Sequence, residues 1–358
     1  MTGARTRMRS ASRAPRGFSL VEIMVALLIG MLLVAAILQL FIANKQTFRA
    51  TEALSRLQEN ARFALEVMTG DIHKTGYTGC PSSSALTNLL QNNASVWWED
   101  FGDGTIRGYD GNTAFPGQAF GTSVGARVAG TDAVILLQAG GDEYSVVSHA
   151  AGSAQMTLDR APAFEAGSVI LVCDAKRTSI LQLTAVSGST ITFASSGSTP
   201  GNSGGLTHDY GQDAKVVGYQ PTAYYVGVAA SGASPRSLYR YRLDVAGASA
   251  NPVAEELIDE VNDLQLHYGI DANGDNLVDL AYLDATGVTD WTEVVSIRLS
   301  LLFRSAEENV TTRSQRVIFP TRDTGLANDS GSWLTAASSD RGRYWPAFST
   351  ATIRNRLP

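Results

Sequence analysis

A chain of 358 residues with 44% apolar and 17% charged side chains holds one large or two ordinary folded domains and is no small stapled scaffold. Its formal charge of −6 is split unevenly: Arg5, Arg7, Arg9, Arg13 and Arg16 stand in the first 17 residues without an acid, leaving 23 basic against 34 acidic groups, or −11, from residue 18 onward. A body that acidic repels nucleic-acid phosphate, which argues against nucleic acid as its partner, and 34 glycines point to turns and strands rather than long soluble helices.

The first predicted element is the apolar run Phe18 to Ala43, whose one ionisable side chain is Glu22. As a helix it is about 39 Å long at 1.5 Å per residue, enough to cross a bilayer core of about 30 Å. The arginine-rich flank before it stays on the cytoplasmic side, so the rest of the chain is expected in the periplasm. A cleaved signal peptide, with Ala35 and Ala36 as the small-residue site, is disfavoured because the apolar pattern runs on past them. A plain membrane anchor explains the run but not a carboxylate five residues into it, which costs at least about 2.5 kcal/mol in hydrocarbon and so marks a function and a partner.

The segment GFSLVEIMVAL, Gly17 to Leu27, resembles the prepilin cleavage and methylation motif of type IV pilins and type II secretion pseudopilins. The resemblance implies cleavage after Gly17 by the prepilin peptidase, N-methylation of Phe18, and engagement of a neighbouring subunit's amino terminus by Glu22. Gln39 stands where many major pilins carry a helix-breaking proline, so the local melting of that helix is not carried over.

Beyond the membrane, Ala50, Leu54, Leu57, Ala61, Ala64, Met68 and Ile72 recur at steps of three or four, the face of a continuing amphipathic helix. Glu52, Arg56, Glu59, Arg62 and Glu66 fall on its other side, and Gly76, Gly79 and Pro81 supply the stop. Short strand-like runs follow between glycine, serine and asparagine clusters: 133–138, 168–173, 179–186, 190–193, 223–228, 237–243, 264–268, 293–304 and 316–319. In Glu293 to Arg304, Val295, Ile297, Leu299, Leu301 and Phe303 alternate with the other set, which predicts a strand with one face buried. Gly/Ser-rich joins at 195–205, 229–234 and 246–250 read as surface loops. The expected fold class is α+β, a long N-terminal helix packed on a mainly antiparallel β-sheet body. Its expected divisions are a leader over 1–17, a membrane segment over 18–43, the amphipathic continuation over 44–79 and a periplasmic β-rich domain over 80–358.

The stretch after the helix, LQLHYGIDANGDNLVD (Leu264 to Asp279) and the closing TIRNRL (Thr352 to Leu357) resemble the PilW family of minor pilins. That resemblance implies a structural subunit, not an enzyme, that takes part in type IV pilus assembly and initiation, joins other minor pilins in a priming complex and ends near the tip. The partners implied are other minor pilins, the major pilin, a tip adhesin, the prepilin peptidase and the inner-membrane assembly platform. The alternative with the same N-terminus is a type II secretion pseudopilin capping a periplasmic pseudopilus.

Cys80 and Cys173 are too few for a four-ligand zinc site; export to an oxidising compartment favours a disulfide between them, against two buried free thiols. No cofactor is certain, and calcium is the one candidate. Asp271, Asn273, Asp275 and Asp279, with the Leu277 carbonyl, occupy the early ligand places of an EF-hand-type loop, but Tyr282 stands where the closing glutamate belongs. The competing reading is an Asx-rich turn that caps its own backbone. GNSGG, Gly201 to Gly205, satisfies a serine-nucleophile pattern with His208 and Asp209 nearby, yet sits in a loop rather than between strand and helix, so a hydrolase built on Ser203 is set aside. His73, His149, His208 and His267 lack metal spacing, and Trp97, Trp98, Trp333 and Trp345 are assigned to packing before adhesion.

Overall fold

The computed structural model describes residues 17–80, 85–91, 97–98, 104–230, 235–279, 282–320 and 332–355; of the expected leader only Gly17 falls within these. Two units are distinguished, Met1–Thr51 and Glu52–Pro358. One helix, α1 (Leu20–Lys74), is continuous over 55 residues, and neither Gly30 nor Gln39 interrupts it. In the first unit its large apolar side chains from Leu20 to Ile42 are all more than half exposed, and the helix is long and apolar enough to cross a membrane.

In the second unit α1 buries Ala53, Leu57, Ala61, Ala64, Met68 and Ile72. Each is three or four residues from the next, as one helix face requires. Ala53 takes the place expected of Leu54, which is only partly buried. Eighteen strands follow among the described residues. The first nine are β1 (Ala85–Asn88), β2 (Ile106–Tyr109), β3 (Ala133–Leu136), β4 (Ala139–Ser148), β5 (Gln155–Leu158), β6 (Val169–Cys173), β7 (Arg177–Gln182), β8 (Ala185–Ser187) and β9 (Thr190–Thr192). The others are β10 (Lys215–Tyr219), β11 (Thr222–Val228), β12 (Arg236–Ala246), β13 (Ser249–Asp259), β14 (Val261–Ile270), β15 (Val294–Arg304), β16 (Arg316–Phe319), β17 (Ser332–Thr335) and β18 (Tyr344–Thr352).

They form sheets ordered β1-β7-β6-β10-β4-β5-β9-β8, β13-β12-β11-β3-β2, β14-β15-β18 and β16-β17. All the strand pairings are antiparallel except β1 with β7, so the body is mainly antiparallel as expected. The helix face shares one core with Val134 and Leu136 of β3, Leu264 and Leu266 of β14, and Ile297, Leu299, Leu301 and Phe303 of β15. Each fully buried leucine or phenylalanine there contributes about 1.5–3 kcal/mol relative to exposure. A second, aromatic core gathers Trp97, Trp98, Tyr109, Phe115 and Tyr225, and a third fills the eight-stranded sheet around Tyr144, Ile170 and Phe193.

Polar clasps hold the helix to the sheets. The Arg56 guanidinium donates from Nε and Nη2 to the Glu260 carboxylate at 3.0 and 2.7 Å, and the Ala306 N–H donates to the same carboxylate at 2.7 Å. Glu260 sits at the β13–β14 junction with φ at +64°, a left-handed conformation rare for its residue type, and its side chain is fully buried. Further along, the Tyr224 hydroxyl donates to Asp71 at 2.6 Å. Deeper in the body Asp132 accepts the N–H groups of Gly111 and Leu266, and burial pushes its carboxyl well above the usual range.

Several expectations need correction. β15 is buried on both faces: Ser296, Ser300 and Leu302 on the second face are as hidden as Ile297 and Leu301 on the first, because β15 is the middle strand and the Tyr282 side chain covers Ser296 at 2.9 Å. The run at 179–186 is two strands, β7 and β8. The expected loop at 246–250 is the tight end of the β12–β13 hairpin, turned at Gly247 with φ at +62°. The segment 195–205 is irregular but not wholly at the surface: Asn202 is fully buried, accepting the Gln182 N–H at 2.7 Å and donating to its carbonyl at 2.8 Å.

Candidate functional site

Gly17, Phe18 and Ser19 precede the helix in non-helical backbone. The Ser19 Oγ accepts the Glu22 N–H at 3.2 Å and the Ser19 carbonyl accepts the Ile23 N–H at 3.2 Å, which makes Ser19 the N-cap. The spacing Ser-x-x-Glu is the sequence signature of that cap, a signal the motif-level reading passed over. Glu22 thus sits in the first turn, at the positive end of the helix dipole, on a surface otherwise lined by Phe18, Ile23, Ala26 and Leu27. Gly17 is exposed, and a Cβ placed on it would meet nothing within 4 Å.

At the far end of the chain, residues 352–355 close over the C-terminus of α1. The His73 Nδ1 lies 2.7 Å from the Thr352 carbonyl oxygen, the Asn355 amide donates to the His73 carbonyl at 3.2 Å, and the Ile353 N–H donates to Val295 at 2.9 Å. Ile353 joins the core beneath the helix. The closing segment therefore satisfies one helix-end carbonyl, that of His73, and fixes the helix to β15. Arg356 and Leu357 of TIRNRL lie outside the described residues.

Residues 223–355 match the family described as Type IV Pilus-assembly protein W, PilW, and residues 12–38 match the Prokaryotic N-terminal methylation motif. Residues 223–355 are thus similar to a PilW domain. No curated protein matches. Among solved structures a type IV-like pilin from Thermus thermophilus is similar at 13% identity with a TM-score of 0.21, over 39% of this chain and 70% of that one. The two family matches are consistent with a PilW-family type IV minor pilin, and the methylation motif with an apolar helix is consistent with inner-membrane anchoring.

The PilW match opens in β11 and ends on Asn355, so it takes in the β14-β15-β18 sheet and the closing segment that clasps the helix. Every strand of the eight-stranded sheet falls between the two matches and outside both. Within the PilW match the loop after β14 is an internally bonded turn. Asp271, 1% exposed, accepts the N–H groups of Gly274, Asp275 and Asn276, while Asp279 accepts those of Ala272 and Asn273. Asp275 accepts the Leu277 N–H at 2.8 Å, and Asn276 takes the left-handed conformation at φ +64°. The side chains named for calcium are thus brought into one turn and engaged with their own backbone. Among the described residues no group of three or more histidine, cysteine or acidic side chains is placed to hold a metal.

Outside the PilW match, Cys80 and Cys173 are joined in a disulfide that ties the segment after α1 to β6. Ser203 is engaged in structure: its N–H and its hydroxyl both donate to the Leu89 carbonyl, at 2.6 and 3.0 Å. His208 packs its ring 4.4 Å from that of Tyr210, and Asp209 accepts the Ala151 N–H at 2.5 Å. Trp97 and Trp98 are core residues; the side chain of Trp333 lies outside those described.

Proposed function

We propose that this chain is a minor pilin-like subunit of type IV pilus assembly, matured by cleavage after Gly17 and N-methylation of Phe18. Before assembly, residues 18–43 hold it in the inner membrane with the body, residues 80–358, in the periplasm; afterwards it occupies the pilus near the tip. Other minor pilins, the major pilin and a tip adhesin are its partners, and the prepilin peptidase and the assembly platform act on it. The observation that carries this reading is Glu22, the one ionisable side chain in the exposed apolar segment 18–43, placed in the first turn directly after the cap. A carboxylate there is stabilised in lipid when it meets a cation, and the free amino terminus of a neighbouring mature subunit supplies one at matching depth. The PilW match favours this over a type II pseudopilin, which shares only the N-terminal features.

Glu22→Ala is expected to leave cleavage intact and to lower the amount of the chain in sheared pili several-fold, whereas Glu52→Ala, in the second unit, leaves it near wild type. Immunoblots of pilus and membrane fractions read both. Equal amounts for Glu22→Ala and wild type would remove the pairing role.

A further inference from the structure

The bond read as the cleavage point joins Gly17 to Phe18, and α1 begins just beyond it at Leu20. Both residues are exposed and in non-helical backbone. What holds the helix back from them is Ser19. In a helix that ran on towards the N-terminus, the Glu22 N–H would bond the Phe18 carbonyl and the Val21 N–H the Gly17 carbonyl. Instead the Ser19 Oγ accepts the Glu22 N–H at 3.2 Å, in the place the Phe18 carbonyl would take, and the Ser19 carbonyl accepts the Ile23 N–H at 3.2 Å. The carbonyl of the scissile bond, that of Gly17, is thereby left outside the helical ladder.

We infer that Ser19 is a positioning residue for processing: by capping α1 it keeps the Gly17–Phe18 bond out of the helix and open to the prepilin peptidase. Cleavage adds water across that bond, leaving a carboxyl on Gly17 and an amino group on Phe18. The enzyme must place its own groups on the Gly17 carbonyl, and a carbonyl already paired within a helix is closed to it until the turn unwinds. Alanine at residue 19 removes the acceptor and adds the strongest helix former. In an apolar surrounding an unpaired N–H is costlier than in water, so the Glu22 N–H would then turn to the Phe18 carbonyl and draw the cleavage point into the helix. The inference rests on the reading of the chain as a prepilin.

The test follows cleavage of the full chain in detergent micelles by a purified prepilin peptidase, for wild type and for Ser19 changed to Asn, Asp, Thr, Gly and Ala. Rates should follow capping strength: Asn and Asp near wild type, Thr and Gly slightly behind, and Ala lower by about fivefold in kcat/KM. Because the cap sets how much of the substrate is open, the loss should lie in KM with kcat kept. In micelles without the peptidase, the Phe18 chemical shifts of Ser19→Ala should move towards helical values. Alanine cut as well as serine overturns the proposal. So does normal cleavage of Ser and Thr with Asn and Asp lagging, since the enzyme would then be reading the hydroxyl itself. A wild-type chain not cut after Gly17 sinks the prepilin reading and this inference together, whereas correct cleavage with a flat Ser19 series sinks the cap alone.

Discussion

Gly76→Ala is expected to destabilise the body by about 2–5 kcal/mol, much of the margin by which an ordinary domain stays folded. Gly76 follows the last turn of α1 with φ at +80°, a conformation in which a Cβ meets its own backbone, and an ideal Cβ there lands on the carbonyl oxygen of Asn355. Neither neighbour can give way cheaply. The Gly76 N–H is bound to the Leu137 carbonyl at 3.0 Å, and Asn355 is held by its bond to His73. The informative control is Gly70→Ala, inside the last turns of α1, where a Cβ meets nothing within 4 Å among the described residues and the helix gains about 0.5–1 kcal/mol. Thermal melting and limited proteolysis of the full chain should separate the two variants in opposite directions. A Gly76→Ala chain that melts with wild type would show that the closing segment does not hold the helix end.

Breaking the Cys80–Cys173 disulfide is expected to cost a similar amount. The two cysteines are 93 residues apart in sequence, and a loop of that size is worth about 4–5 kcal/mol in unfolded-chain entropy, with measured losses of about 2–5 kcal/mol. The bond fixes the start of the body to β6 in the eight-stranded sheet. Cys173 is fully buried, so reduction of the folded chain should be slow and should accelerate once the body opens. Melting of wild type with and without reductant, beside Cys80→Ala/Cys173→Ala, reads the effect. Unchanged melting in both comparisons would mean that the bond constrains nothing the fold does not already fix.

What could be read from the sequence followed the strength of local pattern. The helix was legible along its whole length because its two halves show strong signals, unbroken apolarity and then a three-four repeat. The strands that were found, such as β3, β6, β11 and β15, are runs of valine, isoleucine, leucine and tyrosine. Those that were missed carry residues associated with loops. β4 begins Ala-Gly-Gly-Asp-Glu, β13 contains Pro252 with Glu255 and Glu256, and β18 contains Pro346. Each is explained by position: β13 and β18 are outer strands, where a proline's missing N–H costs little and charge guards the edge, and β4 shifts register at its glycines. The burial of the second face of β15 was hidden because serines at 296 and 300 look solvent-facing until Tyr282, in the connection between β14 and β15, folds back over Ser296. At the N-terminus the chemistry was legible and the geometry only partly so: Glu22 stood out by charge, while the cap at Ser19 was written in the same motif and needed the hydrogen bond to be seen.

The central claim is that this chain is a prepilin, and the mass of its N-terminal peptide, taken from a cell that carries the peptidase, tests it most directly. The account predicts a chain beginning at Phe18 with one added methyl group, and accumulation of uncut chain in Gly17→Ala. Among the described residues nothing lies within 4 Å of a Cβ at residue 17, so a block in that variant reports on the peptidase's need for a bare backbone rather than on misfolding. A wild-type chain that retains residues 1–17, or one cut elsewhere and unmethylated, would contradict the account.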